Sequence, residues 1–191
     1  MDDIVKAAMA KWPNVPNCYG WLGLDARGNW YMRDDKAQAA GPFCAASAEP
    51  GRQVASKGSM LKHDKLIDFI QRNYAADAQS QWFFQNGPQR VYVELEATPY
   101  IWRVGSKPDF DVAAHDGQVA ITQRCIIDEH GRVYLETALG FGLVHTQDML
   151  QAAEAIEQGL WVPQEVQARD LQKRFGYVRS PEAASKLLLK I

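Results

Sequence analysis

The sequence carries no excess of basic charge. Its 21 Lys and Arg stand against 23 Asp and Glu, a formal net charge of −2, so the electrostatic footprint of a nucleic-acid binder is missing. No apolar run approaches the ~18 residues that would span a bilayer. The opening MDDIVKAAMAKW is acidic and lacks the basic start and apolar core of a secretory leader, so a cytoplasmic protein is expected. Cysteine is scarce: Cys18, Cys44 and Cys125 are odd in number and far apart, which fits a reducing compartment where thiols act as small buried hydrophobes. The histidines, His63, His115, His130 and His145, each lie more than four residues from any other His or Cys, so no local zinc pattern exists. G-x-G-x-x-G, the P-loop, H-E-x-x-H, C-x-x-C and G-x-S-x-G are all absent. No metal and no cofactor are expected, and the reading leans away from an enzyme.

What is present is a phrase written twice. LDARGNWYMRDD at 24–35 returns as IDEHGRVYLETA at 127–138. Asp25 matches Asp128, Gly28 matches Gly131 and Tyr31 matches Tyr134, each 103 residues on. Asp accepts hydrogen bonds from a turn backbone and Gly takes its positive φ, so both copies predict a strand–turn–strand. If the phrase marks a duplication, the two hairpins occupy equivalent places in two sibling halves.

Periodicity supplies the rest. Residues 2–12 predict a helix with Val5, Met9 and Trp12 on one face, ended by Pro13. Residues 34–59 are rich in Ala, Gly, Ser and Pro and predict a long surface loop. A helix over about 63–74 carries Leu66, Ile67, Ile70 and Tyr74 as its stripe. Asn86-Gly87 and Asp116-Gly117 predict tight turns between strands. Val91, Val93 and Leu95 alternate with Tyr92, Glu94 and Glu96, a half-buried strand whose two glutamates share a solvated face. A helix from Thr146 to about Gln158 has Met149, Leu150, Ala153 and Ile156 as its inner face. Pro163 and Gly176 bracket another helix, and Ser180-Pro181-Glu182 opens a last one. The expected architecture is α+β: an N-terminal helix at 1–17, a first lobe at 18–104, a second at 105–160 and C-terminal helices at 161–191, each lobe a small antiparallel sheet packed with a helix.

The runs GSMLKHDKLIDFIQRNY and WFFQNGPQRVYVELEATPYIWRV, preceded by LDARGNWYMRDD, resemble an uncharacterised proteobacterial domain-of-unknown-function family. More distantly they resemble a second such family, whose pattern is a strand with D-G-x-W, then G-S, a helix and P-x-x-V-x-x-x-V-E-x-x-P. Gly28, Trp30, Gly58, Ser59, Pro88, Val91, Glu96 and Pro99 are the matching positions. The resemblance covers about residues 20–160. It implies a duplicated α+β architecture of two similar β-rich lobes, no established activity, and at most a ligand-binding or signalling role.

Six tryptophans, Trp12, Trp21, Trp30, Trp82, Trp102 and Trp161, are many for this length. Those on strands fit a core or an aromatic cleft. The candidate ligand-binding residues are Trp30, Arg33, Arg90, Trp102 and His145, which combine rings with hydrogen-bond donors on strands or strand ends. The leading reading is a binding or sensing module that takes a small molecule or a protein partner between its lobes, with no nucleic acid and no membrane. A hydrolase or transferase using His145 or His63 with Cys125 or an Asp is the competitor. A homodimer joined through exposed β-edges is the third reading.

Overall fold

The computed structural model describes residues 1–44 and 55–188. Two compact units divide the chain. The first comprises Met1–Asp25, Asn29–Glu96 and Val178–Ile191, the second Ala26–Gly28 and Ala97–Tyr177.

The first unit begins with helix α1 (Asp3–Lys11), which leads to strands β1 (Cys18–Leu24) and β2 (Trp30–Met32). The short helix α2 (Asp35–Ala40) follows, then β3 (Ser59–Met60), helix α3 (Asp64–Arg72), β4 (Tyr74–Ala76), β5 (Trp82–Asn86) and β6 (Gln89–Leu95). The segment expected as a loop over 34–59 therefore opens as a helix, because the Asp34 carboxylate accepts the Ala37 N–H at 2.8 Å and caps it. Residues 45–54 of that segment lie outside the described residues. α3 starts after His63, whose Nδ1 accepts the Leu66 N–H. It stops at Arg72, so Tyr74 belongs to β4 rather than to the helix stripe.

The second unit holds β7 (Tyr100–Val104), β8 (Val112–Ala114), β9 (Val119–Ala120), β10 (Thr122–Ile127), β11 (Val133–Thr137), β12 (Phe141–Val144), helix α4 (Met149–Glu157), β13 (Pro163–Glu165) and helix α5 (Leu171–Phe175). The chain then returns to the first unit as α6 (Pro181–Leu188), which packs on β6 and β1. Pro163 opens a strand, not a helix. It pairs with Cys125 at the sheet edge, where a residue without an N–H is tolerated. α4 buries Ala152 and Ala155 and leaves Leu150 71% exposed, so its inner face is rotated from the expected one. No helix among the described residues is long and apolar enough to cross a membrane.

The sheets run β3-β2-β1-β6-β5-β4 and β13-β10-β11-β12-β7-β8-β9. Neither is purely antiparallel, contrary to the expectation. β1 pairs parallel with β6, β12 with β7, and β10 with β13. Both sheets follow one path. A first strand sits centrally, two strands step outward, the chain crosses to the far side, and three strands step back until the last lies parallel to the first. On this path β1-β2 corresponds to β7-β8, and β10-β11 to β4-β5. The repeated phrase forms the β1-β2 and β10-β11 hairpins. Its two copies thus stand at non-equivalent stations, and the shared path is not what the phrase marks.

Candidate functional site

The register of β1 against β6 contains the feature from which a site grows. Cys18 faces Val91 and Leu22 faces Val93, so β1 uses four steps where β6 uses two. The surplus residues bulge, with Gly20 at φ +79°. Bulges re-aim side chains and are frequent beside binding sites. Here Tyr19 stacks on Tyr92 with ring centroids 4.6 Å apart, while Trp21 is left 41% exposed between the buried Gly20 and Leu22.

Trp21 stands at the rim of a cavity of about 280 Å3 between α3 and the six-stranded sheet. Leu66, Phe69 and Ile70 of α3 form one wall. Leu22, Met32, Phe84 and Val91 of the sheet form the other. Phe69 meets Phe84 edge to face at 5.4 Å. Cys18, Asn86 and Gln89 close one end. They gather there because Asn86 pairs with Gln89 across the β5-β6 turn and Cys18 lies beside Val91. The charged residues of α3, Asp64, Lys65, Asp68 and Arg72, are exposed and do not line the cavity. Burial raises the Cys18 thiol above its ordinary range, so this group too stays neutral.

Arg33 takes part from beneath. Its guanidinium is fully buried and donates to the carbonyls of Gly20 (2.9 Å), Gly41 (2.5 Å) and Ser56 (3.0 Å). Glu182 of α6 lies 3.7 Å away. Arg33 N–H also donates to the Trp21 carbonyl. One side chain therefore ties the bulge to three other segments, and its guanidinium contacts backbone rather than cavity. Gly20 sits at a left-handed φ of +79°, which a larger residue adopts only with strain, and a Cβ there would also displace the Glu182 carboxylate, 2.9 Å away.

The other expected site residues are not in the lining of this cavity. Trp30 is 1% exposed and packs edge to face on Tyr74. Arg90 is half-buried, with its guanidinium 4.7 Å above the Phe83 ring. Trp102 is wholly buried and donates its indole N–H to the Leu135 carbonyl at 2.9 Å. Gly142 makes room for it, because a Cβ there would lie 2.4 Å from the indole nitrogen. His145 is 7% exposed, and its Nδ1 accepts the Gln147 N–H. Trp30, Arg33 and Arg90 fall in the first unit and Trp102 and His145 in the second. The last two are joined by the His145 N–H donating to the Trp102 carbonyl. Trp21, which borders this cavity, is aimed by a bulge for which Gly20 is the signal in the sequence.

Two polar clusters complete the inventory. Glu94 is buried, not solvated. It accepts the Ser180 hydroxyl at 2.5 Å and the Glu182 N–H at 3.0 Å, so it caps α6, and burial raises its carboxyl. Nearby, Lys57 donates to Glu96 at 2.7 Å. Burial would lower the Lys57 ammonium, but Glu96 outweighs it and the net shift is upward. Burial pushes the thiols of Cys44 and Cys125 up to about 11. At neutral pH the amine is therefore a cation and both thiols are protonated, the less nucleophilic form of each. Among the described residues, no three His, Cys, Asp or Glu side chains gather so as to hold a metal.

Fold and site together define an α+β protein with two mixed sheets and an uncharged cavity in its first unit. The chain belongs to a family described as "Protein of unknown function (DUF2946)", matched over residues 1–182. No curated protein matches the sequence. Among solved structures it is similar to a DUF1285 family protein from Silicibacter pomeroyi DSS-3, with a TM-score of 0.47 and 10% identity over 81% of this chain and 84% of that one. It is also similar to a DUF1285 family protein from Shewanella baltica OS155, with a TM-score of 0.42 and 13% identity over 71% and 91% of the two chains.

Proposed function

We propose that the first unit is a small-molecule binding or sensing module whose ligand enters the cavity between α3 and the six-stranded sheet. One observation carries this reading. A half-exposed tryptophan, set out of its strand by a buttressed bulge, flanks an apolar, ring-lined space. Apolar walls with a few convergent polar groups are the usual make-up of a ligand pocket. A large aromatic left in water gives up burial worth about 1.5–3 kcal/mol, unless another molecule covers it. Arg33 fixes the backbone that carries that ring, through the Gly20 and Trp21 carbonyls, and this lowers the conformational cost of binding.

Titration with the fluorescent probe N-phenyl-1-naphthylamine tests the reading. Saturable binding is expected in the wild type, and Trp21→Ala weakens it by roughly tenfold, the loss of one stacked ring. Equal affinity in the two proteins contradicts the assignment of the site.

A further inference from the structure

We infer that the ligand is an uncharged molecule of up to three aromatic rings bearing a single neutral hydrogen-bonding group. This rests on the reading of the cavity as a binding site and adds the chemistry of what fills it. Size comes first: about 280 Å3 is at the small end of the ~300–1,000 Å3 typical of ligand pockets, too little for a long chain or a nucleotide. Charge comes next. None of the eleven lining side chains is ionic, so a carboxylate or phosphate entering the cavity loses water and meets no counter-charge. Walls of Trp21, Phe69 and Phe84 favour a flat ring over a flexible aliphatic one, through offset and edge-to-face packing.

The polar end sets orientation. The amides of Asn86 and Gln89 converge at the β5-β6 turn. Each carries both a donor and an acceptor, which suits a hydroxyl, amide or carbonyl. Gln89 uses Nε2 on the Pro16 carbonyl at 3.1 Å, which holds its amide plane in place. The ligand's polar group points to this turn, and its ring lies between α3 and the sheet toward Trp21.

Matched ring frames test this at pH 7 by calorimetric titration of the full chain: 2-naphthol, 2-naphthoate, naphthalene and 1-octanol. The inference expects 2-naphthol to bind about tenfold or more tightly than 2-naphthoate, and more tightly than 1-octanol. It expects Asn86→Leu, an exposed position that folds normally, to weaken 2-naphthol about threefold or more while sparing naphthalene. If 2-naphthoate or 1-octanol equals or exceeds 2-naphthol, the ligand class is wrong although the cavity still binds. If none of the four binds and N-phenyl-1-naphthylamine is also refused, the binding reading fails, and this inference fails with it.

Discussion

The hairpins Asp25–Tyr31 and Asp128–Tyr134 share their turn backbone and its aspartate bonds and differ in what surrounds them. In both, the aspartate N–H donates to the carbonyl four residues on, at 3.0 Å to Asn29 and 3.1 Å to Arg132. In both, its Oδ1 accepts that residue's N–H, at 2.8 and 2.9 Å. Gly28 and Gly131 take φ of +83° and +73°. Each tyrosine hydrogen-bonds the aspartate of its own turn. The side chain at the fourth position adds a further donor, the Asn29 amide in one hairpin and the Arg132 guanidinium in the other. Beyond the turn the likeness ends. A Cβ on Gly28 would stand 2.7 Å from the His115 Cβ, whereas around Gly131 nothing lies within 4 Å. A seven-residue phrase specifies a hairpin completely and says nothing of its station in the sheet.

The largest expected effect separates the glycines. Gly28→Ala combines an unfavourable left-handed backbone with an overpacked contact and costs about 3–5 kcal/mol in urea unfolding. Equal costs at Gly28 and Gly131 would show that the packing against His115 is immaterial. Asp128→Ala comes next, at about 2–3 kcal/mol, because Asp128 accepts the Arg132 guanidinium as well as the turn's N–H groups.

The Asp128 substitution also has a pH signature. Burial pushes this carboxyl up, but the Arg132 and His130 amides, the Tyr134 hydroxyl and the Arg132 guanidinium outweigh it and hold it below the ordinary 3.8. A depressed carboxyl stabilises the fold above its unfolded value, and that stability is lost as pH falls toward the folded one. Asp128→Asn therefore flattens the acid limb of stability below about pH 4. An unchanged limb would assign acid sensitivity to other groups. Gly131→Ala pays only the backbone term, about 1–2 kcal/mol. Smallest are the tyrosines. Tyr134→Phe costs about 1 kcal/mol for a buried bond, and Tyr31→Phe about half that at a more exposed position. Reversal of that order would contradict the burial argument.

Legibility in the sequence followed the range of the interaction. Hairpins, the start of α3 after His63, and Ser180 capping α6 through the Ala183 N–H were readable because Asp, Gly, His and Ser act within four residues. Parallel pairing of β1 with β6 was not, since it joins residues some seventy apart that leave no local mark. Arg33 reads as a donor for a ligand and is fully buried with its guanidinium on backbone carbonyls, partners that leave no mark because every residue has one. Trp30 and Trp102, which fit a core or an aromatic cleft by sequence, are buried in the core. Trp21 is the one re-aimed, by a bulge whose two extra residues cannot be counted without the partner strand. At Glu94, period-two alternation placed the side chain correctly on its face, but that face is covered by α6.

The most direct measurement is a 1H–15N titration of the full chain with 2-naphthol. The account predicts saturable shifts at the Trp21 indole N–H, the Asn86 and Gln89 side-chain amides and the backbone of 66–70, while the Trp102 indole and α4 stay still. Shifts centred on Trp102, His145 or α4, with the Trp21 indole unmoved, would contradict it.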